Sequence, residues 1–336
     1  MKKYNVGILG ATGAVGREML KVLEERKFPI DKLVLLASSR SKGKIINFNG
    51  KEYVVEEVSH DSFKGLDIVL GASSKEIAKQ YVKDIIEVNA LFIDNSNAFR
   101  MEEDVPLVIP EINPEDIKKN KGVIANPNCS TIITLMAVSA INKLSKIKAM
   151  IASTYQATSG AGALGPVELE NQMKAILDKE ELVCDVFQYP IVSNLIPHIG
   201  SFEENGYTSE EMKMQNEGRK ILHNDELKVT CTCVRVPVVR SHSISVTVLT
   251  EKELDLADVR KAIGGFEGVM LYDDPGNNKY PMPLITSDQD LVYVGRIRKD
   301  LIFENGITLW CSGDQIRKGA ATNAVEIAQK WVEQNA

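Results

Sequence analysis

Apolar and polar positions follow two different patterns along the chain, and the change falls near residue 128. Before it, short apolar runs (Tyr4 to Leu9, Leu33 to Ala37, Asp67 to Ala72, Leu91 to Asp94 and Val123 to Ala125) alternate with stretches of helical spacing, from Gly16 to about Glu25 and from Ser74 to Val88. Runs that are apolar on both sides suit strands covered on both faces, and their alternation with helices predicts a doubly wound sheet. Ile45 to Val58 predicts a hairpin inserted into that scheme. After residue 128 the apolar run Ile132 to Val138 predicts a buried helix. Ala149 to Ala157, Val229 to Val238, Ile244 to Thr250, Leu291 to Val294 and Ile307 to Trp310 read as strands, and the alternation in the pair joined by Val239 to Ser243 predicts an antiparallel sheet. Helices are expected from about Pro166 to Leu177, from Thr208 as N-cap to Leu222, and from about Leu256 to Ala262. A final alanine-rich helix, Asp314 to Glu333, has no strand after it and is placed against the first domain. The fold expected is α/β: a Rossmann-type domain over 1–128 completed by the C-terminal helix of 313–336, then an α+β domain over 129–312 with a mixed, largely antiparallel sheet.

Composition narrows the partners. The chain has 336 residues, 44% hydrophobic and 26% charged, with a formal charge of -6. That is ordinary for a globular protein of two domains, and the acidic balance with no basic cluster argues against nucleic acid and anionic membranes as partners. Val6 to Leu9 is short and runs straight into glycines, and no apolar run approaches a membrane span, so a cytoplasmic location and small-molecule partners are expected. The five cysteines, at 129, 184, 231, 233 and 311, have no metal-ligand spacing, and no metal is expected.

Three stretches carry candidate chemistry. Gly10-Ala11-Thr12-Gly13-Ala14-Val15-Gly16 follows the first strand and opens the first helix. Glycines there permit a tight turn and a close approach of backbone to a dinucleotide pyrophosphate resting on the helix N-terminus. At the end of the second strand, Ser38 to Lys44 offers hydroxyls and cations, including Arg40 and Ser41, where an NAD site would offer an acid. Those groups suit a 2′-phosphate and hence NADP, or they form a solvated basic loop. Asn126-Pro127-Asn128-Cys129-Ser130-Thr131 delivers Cys129 to the first turn of the apolar helix. A helix N-terminus favours a thiolate, so Cys129 reads equally as a nucleophile or as a buried structural cysteine. Further candidates have plainer readings beside them. Arg100 could hold an anion or be a surface arginine, and Gln156 could donate to a carbonyl or be solvated. Glu210 and Lys213, one turn apart, could be an exposed helix salt bridge.

In combination these stretches resemble the aspartate-β-semialdehyde dehydrogenase family over essentially the full length. The resemblance is carried in order by the glycine stretch from Gly10 to Gly16, by Asn126 to Thr131, by Tyr155-Gln156-Ala157-Thr158-Ser159-Gly160-Ala161-Gly162, and by Arg235-Val236-Pro237-Val238-Val239-Arg240-Ser241-His242. It implies an NADP-binding domain followed by a catalytic and dimerisation domain, in a homodimer, and leaves open whether dimers pair into tetramers. The implied reaction is the NADPH-dependent reductive dephosphorylation of β-aspartyl phosphate to aspartate semialdehyde and phosphate, on the route to lysine, threonine, methionine and diaminopimelate. Cys129 would be the acyl-thioester nucleophile, His242 the acid–base catalyst, and Gln156 the group that positions the acyl carbon. Arg235 would bind the substrate carboxylate and Glu210 its amino group, with Arg100 and Lys213 receiving the phosphate. Gly10, Thr12, Gly13, Ala14, Val15, Arg40, Ser41, Ser159, Gly160 and Gln315 fall where the family holds NADP. N-acetyl-γ-glutamyl-phosphate reductase shares this chemistry but favours His-Pro-Gly-Cys, unlike Asn126 to Cys129. A non-catalytic NADP-sensing protein would have lost a nucleophile or base that this chain keeps.

Overall fold

The computed structural model describes residues 2–335. The chain divides into two compact units, Met1–Asn128 with Ala320–Ala336, and Cys129–Gly319.

In the first unit, strands β1 (Tyr4–Leu9) and β2 (Ile30–Ala37) flank helix α1 (Ala14–Glu25), and β3 (Ile45–Phe48) with β4 (Lys51–Val54) forms the expected hairpin. β5 (Glu56–Glu57), β6 (Ile68–Gly71), helix α2 (Lys75–Glu87), β7 (Leu91–Asp94) and β8 (Val123–Ala125) follow. The main sheet has the order β5-β2-β1-β6-β7-β8 and is parallel throughout. Strand order reverses between β1 and β6, and ligands of such sheets bind beyond the carboxyl ends at that point. Side chains alternate between two cores, as the period of a strand requires. Val6, Ile8, Leu33 and Leu35 pack with α1 and the C-terminal helix, whereas Leu9, Val34, Leu36 and Phe92 pack with α2. That coverage on both faces is why these strands read as unbroken apolar runs.

The second unit opens with helix α3 (Cys129–Leu144), buried from Ser130 through Ile141 and mostly apolar, with only small hydroxyls among its buried polar side chains, as suits a helix enclosed on every side. β9 (Ile147–Gln156), α4 (Leu164–Asp178), α5 (Ser209–Ile221), β10 (Lys228–Arg235), β11 (His242–Thr250), α6 (Leu256–Gly264), β12 (Val269–Leu271), β13 (Val292–Lys299) and β14 (Gly306–Gly313) complete it. Thr208 caps α5 in a full capping box with Glu211. The sheet order is β10-β9-β11-β14-β13-β12, antiparallel in its three central pairings and parallel at the two edges.

Two details depart from the periodicity. β10 and β11 do not pair with each other, because β9 lies between them, parallel to β10 and antiparallel to β11. The link from Val236 to Ser241 therefore passes over the carboxyl end of β9, where Thr158 N–H and Ser159 N–H donate to its carbonyls at Val238 and Val239. Gln156 and Arg235 become register partners, and His242 starts β11 at the same end of the sheet. The second departure is the single helix expected from Asp314. The buried Asp314 carboxylate accepts the N–H groups of Ile316 and Arg317, a π-turn spans Arg317–Ala321, and the α-helix begins only at Thr322.

Candidate active site

Cys129 is the first residue of α3 and is partly buried. What precedes it is anchored within the first unit. Asn126 is fully buried; its side chain bonds Asn95 Oδ1 at 2.8 Å and receives Asn323 Nδ2 at 2.7 Å, and its carbonyl accepts from Arg100 Nε at 2.9 Å. Arg100 also donates to the Asn95 carbonyl at 2.8 Å. It is a buried guanidinium that ties two loops together, rather than a surface arginine. On the other side of Cys129, the π-turn brings Gly319 so close that a Cβ there would lie 2.9 Å from Cys129 Cβ. A π-turn inserted where a side chain must be met closely is a recurrent feature of functional sites.

The residues at the ends of β9, β10 and β11 converge in the second unit. Gln156 receives the Thr154 hydroxyl on Oε1 at 3.0 Å, donates from Nε2 to Glu210 at 3.2 Å, and has that nitrogen 3.5 Å from His242 Nε2. Glu210, buried on α5, pairs with Lys213 at 2.7 Å. This is a partly buried pair inside a polar cluster, not an exposed helix bridge. Arg235 donates from Nη1 to the Ala157 carbonyl at 2.7 Å and lies over the Phe187 ring, 5.9 Å from its centroid. Burial pulls the Arg235 guanidinium below its ordinary pKa, opposed by Cys129, Glu210 and Cys233, so it shares one electrostatic neighbourhood with the nucleophile candidate. Gly160 is packed against this cluster, and a Cβ there would come within 2.7 Å of Arg235 Nη1 and 2.9 Å of His242 Cε1.

His242 is wholly buried, and its pKa is pushed down to about 3, first by burial and then by the Arg235 charge, with Glu210 acting the other way. Its loop is held from behind. Ser241 has a left-handed backbone, φ 73°, and its N–H donates to Gln315 Oε1 at 2.8 Å while Gln315 Nε2 donates to the Ser159 hydroxyl. Arg240 bonds the buried Asp314 at 2.6 Å. Among the other thiols, Cys233 is raised by its hydrogen bond with Cys231 and by burial, Cys311 by burial, and Cys184 by desolvation. Those three stay protonated and make poor nucleophiles.

In the first unit the glycine stretch forms the turn expected of it. Gly10 has φ 94°, and a Cβ on it would sit 2.5 Å from the Ala72 carbonyl, across the point where strand order reverses. Helix α1 starts at Ala14 and Val15 without a capping side chain or an acid in its first turn, which leaves its N-terminus suited to an anion. Beside it is a cleft of about 460 Å³, lined by Gly10, Thr12, Gly13, Ser38, Ser39 and Tyr81 among others. Arg40 and Ser41 lie on the single turn Ser39–Ser41, and Ser41 Oγ is 3.2 Å from Thr12 Oγ1. The cleft, the glycine turn and the hydroxyl donors fit a dinucleotide. Gly10, Thr12 to Val15, Arg40, Ser41 and Arg100 thus belong to the first unit, and Ser159, Gly160, Gln315 and the residues around Cys129 to the second.

A parallel-sheet nucleotide domain followed by a mixed-sheet domain that gathers cysteine, histidine, glutamine and arginine defines a nicotinamide-dependent dehydrogenase of the semialdehyde class. Family models agree: residues 5–120 match the semialdehyde dehydrogenase NAD binding domain and 138–318 the semialdehyde dehydrogenase dimerisation domain. The chain is 51% identical to the aspartate-semialdehyde dehydrogenase of Aquifex aeolicus over 98% of each chain, and 48% identical to that of Campylobacter jejuni over 99% of this chain and 98% of the other. The crystal structure of aspartate semialdehyde dehydrogenase II from Vibrio cholerae complexed with ASA superposes with a TM-score of 0.98 at 41% identity, covering both chains fully. The chain belongs to the aspartate-semialdehyde dehydrogenase family.

Several supporting groups escaped the sequence reading. The Ala157 peptide, Ser241, Asp314 and Gly319 act on His242, Gln315, Arg240 and Cys129, far away in sequence, and Thr154 acts on Gln156 along its own strand. Only Gly319, a glycine at the head of an alanine-rich helix, left a visible trace.

Proposed function

We propose that the enzyme converts β-aspartyl phosphate to aspartate β-semialdehyde through a thioester on Cys129, with NADPH as reductant, in the cytoplasm and as a homodimer. Bound NADPH supplies the hydride. Cys129 Sγ attacks the acyl carbon, the C–S bond forms, and phosphate departs. Arg235 presents two parallel donors that suit the substrate α-carboxylate, Glu210 is the anion that suits its ammonium group, and Lys213 with Arg100 supplies cations for phosphate. Gln156 orients the acyl group. His242 meets the charge that develops on the carbonyl oxygen, the role for which the family resemblance names an acid–base catalyst. Gly10, Thr12 to Val15, Arg40 and Ser41, with Ser159, Gly160 and Gln315, hold the cofactor.

The observation that carries this reading is the convergence of Gln156, Glu210, Arg235 and His242 at one end of a sheet, with Arg235 in electrostatic reach of Cys129. A dimer is supported by exposed apolar side chains on α4, among them Leu164, Ile176 and Leu177. No helix among the described residues is long and apolar enough to cross a membrane. The test is turnover of β-aspartyl phosphate and of N-acetylglutamyl phosphate, each with NADPH, together with mass spectrometry of the acylated enzyme. Turnover of aspartyl phosphate alone, with an adduct confined to Cys129, is expected. An adduct on Cys184, Cys231, Cys233 or Cys311 with Cys129 unmodified overturns the assignment.

A further inference from the structure

Helix α4 carries two buried polar side chains that the chemistry above does not use. Glu168 and Gln172 lie one turn apart on its buried face, with Leu169 and Ala175. A buried carboxylate is costly unless its oxygens are bonded, and Glu168 meets that demand with N–H groups alone. Its Oε2 accepts from the peptides of Asp185, at 2.8 Å, and Val186; its Oε1 accepts from the Phe187 peptide at 3.4 Å and the Gln172 amide at 3.2 Å. Gln172 Oε1 in turn accepts from the Ile191 and Val192 peptides at 2.9 and 3.1 Å, and its Nε2 donates to the Val183 carbonyl at 2.8 Å.

The segment held in this way belongs to residues 179–208, which contribute no helix and no strand between α4 and α5. A connection of that length is uncommon in a compact domain, and side chains rather than a backbone ladder must satisfy its peptide groups. Phe187, Ile191 and Ile196 close over Leu169 beneath it. At two points the segment meets Arg235. Ile196 and Arg235 exchange both backbone hydrogen bonds, at 3.0 and 2.8 Å, and the Phe187 ring covers the guanidinium, 5.9 Å from its centroid.

We propose that Glu168 and Gln172 are positioning residues for substrate selection: by fixing residues 183–196 they set the Phe187 ring against one face of the Arg235 guanidinium, so that its in-plane N–H groups are aimed at the substrate α-carboxylate. This rests on the carboxylate-binding role given to Arg235 above. A guanidinium stacked on a ring keeps its donors in one plane and loses the freedom to turn, which is what a two-bond contact with a carboxylate requires. The two residues act on the reaction through that contact, not on the acyl carbon, so their effect depends on whether the substrate carries the carboxylate.

The test compares β-aspartyl phosphate with β-alanyl phosphate, which keeps the acyl chain and amino group and lacks only the α-carboxylate, both read as NADPH oxidation at high enzyme concentration. Both oxygens of Glu168 face donors, so Glu168→Gln keeps the shape and must turn an NH₂ group toward an N–H. Gln172→Met keeps most of the bulk and releases Ile191 and Val192, and Phe187→Leu keeps an apolar side chain without the ring. In each variant the ratio of kcat/KM for the first substrate over the second should fall at least about tenfold, within the worth of a desolvated cation–ring contact, with NADPH affinity unchanged. Where Glu168→Gln does not fold, Gln172→Met tests the same anchor. An equal loss on both substrates overturns the proposal, because it makes the anchors general supports of the fold, and so does a ratio that falls in Phe187→Leu but in neither anchor variant. If Arg235→Lys also leaves the ratio unchanged, the carboxylate role of Arg235 fails and takes the proposal with it; if Arg235→Lys lowers the ratio and the other variants do not, the positioning claim falls alone.

Discussion

A guanidinium buried to 5% exposure, as Arg235 is, must find acceptors on several sides, and here one Nη1 bond to the Ala157 carbonyl leaves the rest of the fork for a ligand carboxylate. Lysine would keep the charge and lose the fork. Arg235→Lys should therefore lower kcat/KM for aspartyl phosphate at least about tenfold, or roughly 1.4 kcal/mol, with NADPH affinity unchanged. A near-wild-type kcat/KM would mean that Arg235 only packs. The neighbouring His242 makes a different prediction at the same scale. Its folded pKa lies near 3, far below the roughly 6.5 of an unfolded chain, so the unfolded state binds the extra proton between those values. The stability it contributes is fully present above about pH 6.5 and falls by up to roughly 1.4 kcal/mol per pH unit as acid is added. His242→Asn should then lose less thermal stability between pH 7 and pH 5 than the parent enzyme, a comparison calorimetry can make directly. Identical slopes would refute the buried neutral ring. At this scale the sequence singled out the residues that the structure brings together, because Gln156, Arg235 and His242 sit in recognisable stretches. It could not name the Ala157 N–H, whose partner His242 comes from another strand, or Thr154, whose hydroxyl turns to the Gln156 amide along the same strand.

Elements rather than single groups decide how those side chains meet. β9 had to be inserted between β10 and β11 for Gln156 and Arg235 to become register partners, and alternation along each strand says nothing about which strand lies beside which. The helix after Asp314 shows a similar gap between pattern and structure. Its alanine-rich composition announces a helix, but the first turn is widened by a buried carboxylate that takes two of its N–H groups. The widened turn places Gly319 against the start of α3, so Gly319→Ala would push a Cβ into Cys129 Cβ at 2.9 Å, where backbone on both sides resists movement. The expected result is at least about a tenfold drop in kcat/KM with altered alkylation of Cys129 by iodoacetamide, since a small displacement of a nucleophile is costly. Unchanged alkylation and turnover would show that the turn relaxes. In the first unit, the turn Ser39–Ser41 presents Arg40 while Ser38 and Ser39 line the cleft. Removing that cation should weaken NADPH by about 1.5–3 kcal/mol and leave NADH nearly untouched, because the proposed bond is to the 2′-phosphate alone. Titrating both cofactors against Arg40→Ala separates this from a solvated loop, for which neither affinity moves.

At the scale of the whole molecule, the parallel sheet of the first unit was legible because helices cover both of its faces. The second sheet is different. Its inner face packs on α3 and α6, with Met150, Ala152, Ile244, Val246 and Val248 buried. The other face keeps Ile151 at 42% exposure, with Ser153, Tyr155, Ser245, Thr247 and Trp310 half-buried beside it. Tyr155 and Trp310 meet there in a tilted ring pair, 5.3 Å between centroids. An open sheet face with two aromatic rings, together with a helix α4 that exposes Leu164, Val167, Met173, Ile176 and Leu177, is more apolar surface than a monomer ordinarily leaves in water. A second copy of the chain would cover such surface symmetrically, and the match of 138–318 to a dimerisation domain points to the same part of the chain. A stable pair needs on the order of 1,200 Å² or more of total buried area, within reach of one sheet face. Sedimentation velocity should therefore find a dimer down to nanomolar concentration, and Ile151→Asp with Trp310→Glu should shift it toward monomer, because two charges on each copy would be left without water or partner at the centre of the contact. The helix face provides the alternative within the same experiment. If the sheet variant stays dimeric while Ile176→Asp with Leu177→Asp dissociates it, the pair forms through α4 and the sheet face is simply solvated. A monomer in the parent enzyme at all concentrations would rule out both.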